Sequence, residues 1–216
     1  MSELFARWYN QLPLKLTVGL LVSAVVVSAG AWYYLTPEYS RVGYQPIQPV
    51  PFSHLTHVGH LGLDCRYCHT GVESSWYANI PAASVCMNCH SQVLPNDPRL
   101  APIRDSVKTG APVPWVQIHR TPDFVFFNHA VHVNRGVACV SCHGQINQMV
   151  EVRHARSLTM AFCLDCHRNP APHIRPLEQV YSMTWTEDPA RAVEAGARRV
   201  RDWKIHPSTD CSACHR

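Results

Sequence analysis

One five-residue unit constrains this chain more than any other feature. Cys-X-X-Cys-His recurs as Cys65-Arg-Tyr-Cys68-His69, Cys86-Met-Asn-Cys89-His90, Cys139-Val-Ser-Cys142-His143, Cys163-Leu-Asp-Cys166-His167 and Cys211-Ser-Ala-Cys214-His215, and the five copies use all ten cysteines. This is the attachment signature of c-type haem. The two thiols form thioethers with the vinyl groups, and the adjacent histidine is placed to ligate the iron from one side. Cys-X-X-Cys alone is also zinc-ligand spacing, and paired cysteines can build a disulfide framework. Neither reading explains a histidine after every second cysteine with no cysteine left over. Five covalently bound haem c groups are therefore expected, with His69, His90, His143, His167 and His215 as motif ligands.

Each motif supplies one axial ligand, so second ligands must come from elsewhere. Nine histidines lie outside the motifs. Four of them belong to an internal repeat. Phe52-Ser-His54-Leu-Thr-His57-Val precedes Cys65 as Phe127-Asn-His129-Ala-Val-His132-Val precedes Cys139, and a second motif follows each first one. A duplicated di-haem unit with a fifth haem appended fits this pattern. Residues three apart share a helix face, so one short helix can present two imidazoles to two haems. The first histidine of each pair is expected to serve the haem attached next in sequence, and the second a different haem. His119 is the next candidate. His60, His154, His173 and His206 read as surface or propionate-contacting residues, while Met160 and Met149 are alternative ligands or core.

The composition suits a chain organised around macrocycles. The 165 residues from Phe52 to Arg216 leave about 33 per haem, too few to build a large interior around each. The expected fold class is a multihaem cytochrome c, mostly irregular with short α-helices, the haems forming the core, and one N-terminal transmembrane helix. The chain carries 17 prolines, which also favour irregular connections. The net charge of +4 is no nucleic-acid footprint, because propionates would offset it. Arginines, 16 of the 19 basic residues, suit bidentate pairing with those carboxylates.

In chain order, residues 1–15 form a short, mildly basic cytoplasmic N-terminus. Residues 16–35 run without a charge and end in Trp32, Tyr33 and Tyr34, long enough to span a bilayer with an aromatic belt. Ala29-Gly30-Ala31 resembles a signal-cleavage site, but the length of the run favours an uncleaved anchor. The positive residues before it place the rest on the outer side. Residues 36–51, with four prolines, read as an extended tether. Residues 52–216 form the haem domain, with the repeated units at 52–90 and 127–167 and the fifth motif at 211–215. Ser91–Pro114 reads as a surface connection, and Asp188-Pro189 as the cap and first turn of a helix through Trp203.

Several segments occur in a familiar order: Pro51-Phe-Ser-His54, Ala83-Ser-Val-Cys86-Met-Asn-Cys89-His90, Pro114-Trp115, Pro122-Asp-Phe-Val-Phe-Phe-Asn-His129, Gln148-Met149 and Leu158-Thr-Met160-Ala-Phe-Cys163-Leu-Asp-Cys166-His167-Arg168-Asn-Pro170. On these residues the chain resembles the pentahaem, membrane-anchored cytochrome c subunit of bacterial alternative complex III, from about Pro51 to Pro176. The resemblance implies a non-catalytic subunit in the cell inner membrane that relays electrons from quinol oxidation to a periplasmic acceptor, such as a soluble cytochrome or copper protein. It implies as partners an iron–sulfur protein, polytopic quinol-binding membrane subunits and a monohaem cytochrome c. Two other classes compete with it. A small multihaem quinol dehydrogenase would take electrons from quinol directly. A catalytic multihaem reductase needs a haem with an open position, and no Cys-X-X-Cys-Lys variant is present.

Overall fold

The structure is a computed structural model that describes residues 7–35, 41–188 and 190–215. It divides into two compact units, Met1–Arg41 and Val42–Arg216. Within the first, a 3-10 turn, Arg7–Gln11, leads into α1, Leu12–Leu35. Pro13 sits in the first turn, where its missing N–H costs nothing. No α1 side chain is buried, and after Lys15 every residue is uncharged. Its 24 residues extend about 36 Å at 1.5 Å each. It is the one helix among the described residues long and apolar enough to cross a membrane.

The second unit is a succession of short helices: α2 (Cys65–Cys68), α3 (Ala83–His90), α4 (Ala101–Thr109), α5 (His129–Val133), α6 (Cys139–His143), α7 (Met160–Arg168), α8 (Ala192–Asp202) and α9 (Cys211–Cys214). Among the described residues there are no strands, only isolated bridges joining Val125 to His215 and Val137 to Ile174. Every Cys-X-X-Cys-His motif falls on a helical turn. One such turn brings cysteines at i and i+3 onto one face, with the histidine just beyond.

The repeat is visible in the backbone, with one local difference. His129–Val133 is α-helical, whereas Leu55–His60 winds as a π-helix closed by Leu61 N–H donating to the Thr56 carbonyl at 3.0 Å. The first repeat carries one more residue between its second histidine and its first cysteine, His57 to Cys65 against His132 to Cys139. A π-turn absorbs that extra residue without displacing the helix ends.

Three sequence expectations need correction. Residues 36–40 of the tether lie outside the described residues, but 42–50 pack onto the haem-motif unit rather than run free. Gly43 N–H donates to the His154 carbonyl at 2.8 Å and His154 N–H to the Tyr44 carbonyl at 2.9 Å. Gln48 brackets Val116 through both its amide atoms, and Val50 is buried. Ser91–Pro114 is no bare connection, since it contains α4. Asp97 caps the turn before it by accepting from Arg99 N–H at 2.8 Å, Ile103 is buried, and Gly110 ends it at φ +76°. Finally, α8 begins at Ala192, not Ala190, because the Asp188 side chain accepts from Ala190 N–H and caps a preceding turn. Pro189 lies outside the described residues.

Among the described residues buried apolar side chains are few: Val50, Val72, Ile103, Val133, Ala138, Met149, Ile174, Val180 and Met183. Much of the fixation is polar. Arg66 pairs with Asp64 at 2.9 Å and lies 4.6 Å over the Tyr181 ring, while Tyr181 donates to Glu73 at 2.8 Å. Asn134 donates to the Glu73 carbonyl at 2.9 Å, tying the second repeat to the first. Near the C-terminus, Arg199 donates to the Ile174 carbonyl at 3.0 Å and to Glu187 at 2.5 Å. There α8 crosses the 3-10 turn Ala171–His173, and buried Gly196 lies against the Ala171 carbonyl, leaving no room for a methyl group. Gly196→Ala should therefore destabilise the protein by about 1–3 kcal/mol, read as a lower thermal midpoint by circular dichroism. Gly30→Ala, where an added methyl meets nothing within 4 Å, should leave that midpoint unchanged.

Candidate haem-binding sites

The four repeat histidines each stand opposite a different motif histidine. His54 faces His69 with centroids 6.4 Å apart and planes 1° apart, and His57 faces His90 at 6.1 Å. In the second repeat His129 faces His143 at 6.5 Å and 11°, and His132 faces His167 at 6.1 Å. A metal–imidazole bond is about 2 Å, and a ring centroid lies roughly 1.1 Å behind the ligating nitrogen. Two imidazoles on opposite sides of one metal therefore sit about 6.2 Å apart, centroid to centroid. All four spacings fit a haem iron between the rings. Within each repeat the first histidine stands opposite the next motif and the second opposite the motif beyond.

The rings are oriented by contacts repeated in both copies. Phe52 stacks on His57 at 4.3 Å and meets His54 edge-on at 4.9 Å; Phe127 stacks on His132 at 4.6 Å and meets His129 edge-on at 4.8 Å. Ser53 accepts from Thr56 N–H at 3.1 Å, and Asn128 caps α5 through Val131 N–H.

Backbone carbonyls then fix the tautomer. Nδ1 of His57 lies 2.8 Å from the Ser53 carbonyl and that of His132 2.8 Å from the Asn128 carbonyl. His69 reaches Asn79 O at 2.6 Å, His90 reaches Val93 O at 3.0 Å, His129 reaches Trp76 O at 2.9 Å and His167 reaches Ser208 O at 2.7 Å. A carbonyl can only accept, so each Nδ1 is the donor and each Nε2 keeps its lone pair for a metal. His54 and His143 differ, since their buried Nδ1 atoms meet no hydrogen-bonding acceptor. Burial first, and neighbouring imidazoles second, lower the pKa of His54 to about 4 and that of His143 to about 3. Both are neutral near pH 7 and keep a lone pair.

Among the described residues no three of His, Cys, Asp and Glu converge as a conventional metal cluster, and the ten cysteines are unpaired. Burial raises the thiol pKa of Cys68, Cys139, Cys142 and Cys163, and in each case a cysteine of a neighbouring motif adds to the rise. Those neighbours are Cys86, Cys65, Cys163 and Cys214 in turn. The motifs thus adjoin in the order second, first, third, fourth, fifth. Direct contacts agree: Asn88 donates to the Tyr67 hydroxyl at 3.0 Å between the second and first motifs, and the Trp76 carbonyl anchors His129.

Residues 125–216 match the family model described as cytochrome c7 and related cytochrome c. That stretch, which is similar to the family, is less than half of the chain. Over 127 residues the protein is 39% identical to the menaquinone reductase multihaem cytochrome c subunit of Nitratidesulfovibrio vulgaris (strain Hildenborough). That stretch is 58% of this chain and 56% of the relative, so the chain spans just over half of the curated relative's length.

The remaining candidates fall elsewhere in the structure. The ring beside His215 is that of Phe124, at 5.7 Å. His119 lies edge-on to His143 at 4.4 Å, too close for a metal to sit between them, and stacks on His154 at 5.1 Å. His154, read as a surface or propionate-contacting residue, is 1% exposed, and its backbone bonds to Gly43 and Tyr44. His60 and His206 are exposed, and His173 is half-buried in its 3-10 turn. Met149 is buried and Met160 is 65% exposed.

Phe127→Ala removes the face on which His132 rests. A low-spin haem ligated by His132 should then show a broadened electron paramagnetic resonance signal as the ring samples more orientations. Tyr44→Phe, which leaves all eight paired rings and both phenylalanines in place, should leave the signal sharp.

Proposed function

We propose that this chain is an electron-relay subunit carrying five c-type haems beside a membrane. In this reading Cys65/Cys68, Cys86/Cys89, Cys139/Cys142, Cys163/Cys166 and Cys211/Cys214 hold the haem edges. His54/His69, His57/His90, His129/His143 and His132/His167 supply four bis-imidazole sites, and His215 ligates the fifth iron. Bound haem supplies a one-electron Fe(III)/Fe(II) couple at each site. The observation that carries the reading is the set of four imidazole pairs at 6.1–6.5 Å. His119, expected as a distal ligand, is better suited by its 4.4 Å approach to His143 to packing behind the third site.

The protein's part in the relay is to fix geometry. Paired ligands and carbonyl-locked tautomers keep each site's coordination the same in both oxidation states, which keeps reorganisation small. Trp76, Tyr77, Phe124 and Phe126 are exposed beside the motifs, and macrocycles seated there would cover them and complete the core. The unbranched motif order suits a wire. The apolar α1 would anchor the chain in the inner membrane, with the haem domain on the periplasmic side.

The resemblance to alternative complex III supports transfer from a quinol-oxidising module, which includes an iron–sulfur protein and polytopic quinol-binding subunits, to a monohaem or soluble acceptor. The relative's name favours a second direction, into menaquinone. The same wire serves either, since direction is set by the partners' potentials. Mass spectrometry of the purified chain should show five haem increments, and Cys86→Ser/Cys89→Ser should lose one; a bare polypeptide mass would end the proposal. Reduction by a quinol analogue should need the co-purifying membrane subunits. If the isolated chain were reduced as fast, it would be a quinol dehydrogenase in its own right.

A further inference from the structure

The eight paired imidazoles are not equivalent, and their differences follow a pattern. Both rings of the His57/His90 pair donate Nδ1–H to backbone carbonyls, as do both rings of the His132/His167 pair. In the His54/His69 and His129/His143 pairs only one ring does, through Asn79 O and Trp76 O. The other ring, His54 or His143, buries an Nδ1 that meets no such acceptor.

An imidazole that donates from Nδ1 pushes more electron density through Nε2. It becomes a more basic ligand and stabilises the more highly charged ferric state. Burial acts in the opposite sense. A low-dielectric surrounding disfavours the state with the extra positive charge and so favours ferrous iron. At the third motif Ala138 is buried and the Nδ1 of His143 is shut off from solvent. At the His129/His143 site the ligand without an acceptor and the burial therefore both favour the ferrous state.

We infer that the Nδ1 acceptors divide the sites into two levels, with those of His57/His90 and His132/His167 at lower reduction potential than those of His54/His69 and His129/His143. This rests on the four-pair reading above. The motif order adds a consequence: the two higher sites adjoin each other where the repeats meet, and a lower site flanks them on each side. His54 and His143 act here as positioning-dependent ligands whose missing acceptor, rather than their identity, sets the level.

The test is a potentiometric titration of the detergent-solubilised, haem-loaded protein, alone and as His54→Met, His57→Met, His129→Met and His132→Met. Each variant moves one haem out of the native titration curve, and the missing component identifies that haem. The components lost in His54→Met and His129→Met should lie above those lost in His57→Met and His132→Met; the reverse or an interleaved order overturns the inference. Should a variant fail to mature, the wild type still decides. Proton magnetic resonance of the eight ligand Nδ1–H groups should give six shifted into the hydrogen-bonded range and two that are not, and eight alike would refute it. Absence of bis-imidazole low-spin signals in the wild type would instead remove the pair assignment itself.

Discussion

Everything about the haem-motif unit depends on a carbonyl oxygen lying in line with a histidine Nδ1. Six of the eight paired imidazoles are held this way. The contact does two jobs at once. It fixes the ring's direction, and by making Nδ1 the donor it leaves Nε2 with its lone pair. The helices carrying these rings are only a few residues long and have little stability of their own. Ring geometry is therefore kept by side chain to backbone bonds and by Phe52 and Phe127, with a small apolar core behind them.

Polar fixation also explains how so little buried hydrocarbon holds the chain. The Arg66–Asp64–Glu73–Tyr181 cluster draws the first motif, the second repeat and the C-terminal segment to one place. Its members are partly exposed, so each pair contributes modestly, and their value lies in specifying register. The segment after α1 behaves likewise: reciprocal bonds at Gly43, Tyr44 and His154 seat it, so the unit begins near Val42 rather than at Phe52.

The motifs and the repeat were legible in the sequence because each is carried by side chains at fixed spacing. The α1 helix was legible for the same reason. The acceptors were not, since Asn79, Val93, Trp76 and Ser208 take part through backbone oxygens, which every residue possesses. The helix α4 was missed although Asp97-Pro98 and Gly110 punctuate it; the polar, proline-rich surroundings hid the signal. The burial of His154 was not legible because nothing local predicts that a segment more than a hundred positions earlier bonds to its backbone. The order of the motifs in space was beyond reach for a related reason, being set by long-range contacts between loops.

The anchor on His129 comes from Trp76, a residue of the loop within the first repeat. The Nδ1 of His54 meets no such carbonyl. The two halves are thus not interchangeable cassettes, however alike their spelling. A second half excised and expressed by itself would keep its cysteines and all four rings, yet lose the oxygen that aims one of them. Synthesis from the amino end supplies that oxygen before it is needed.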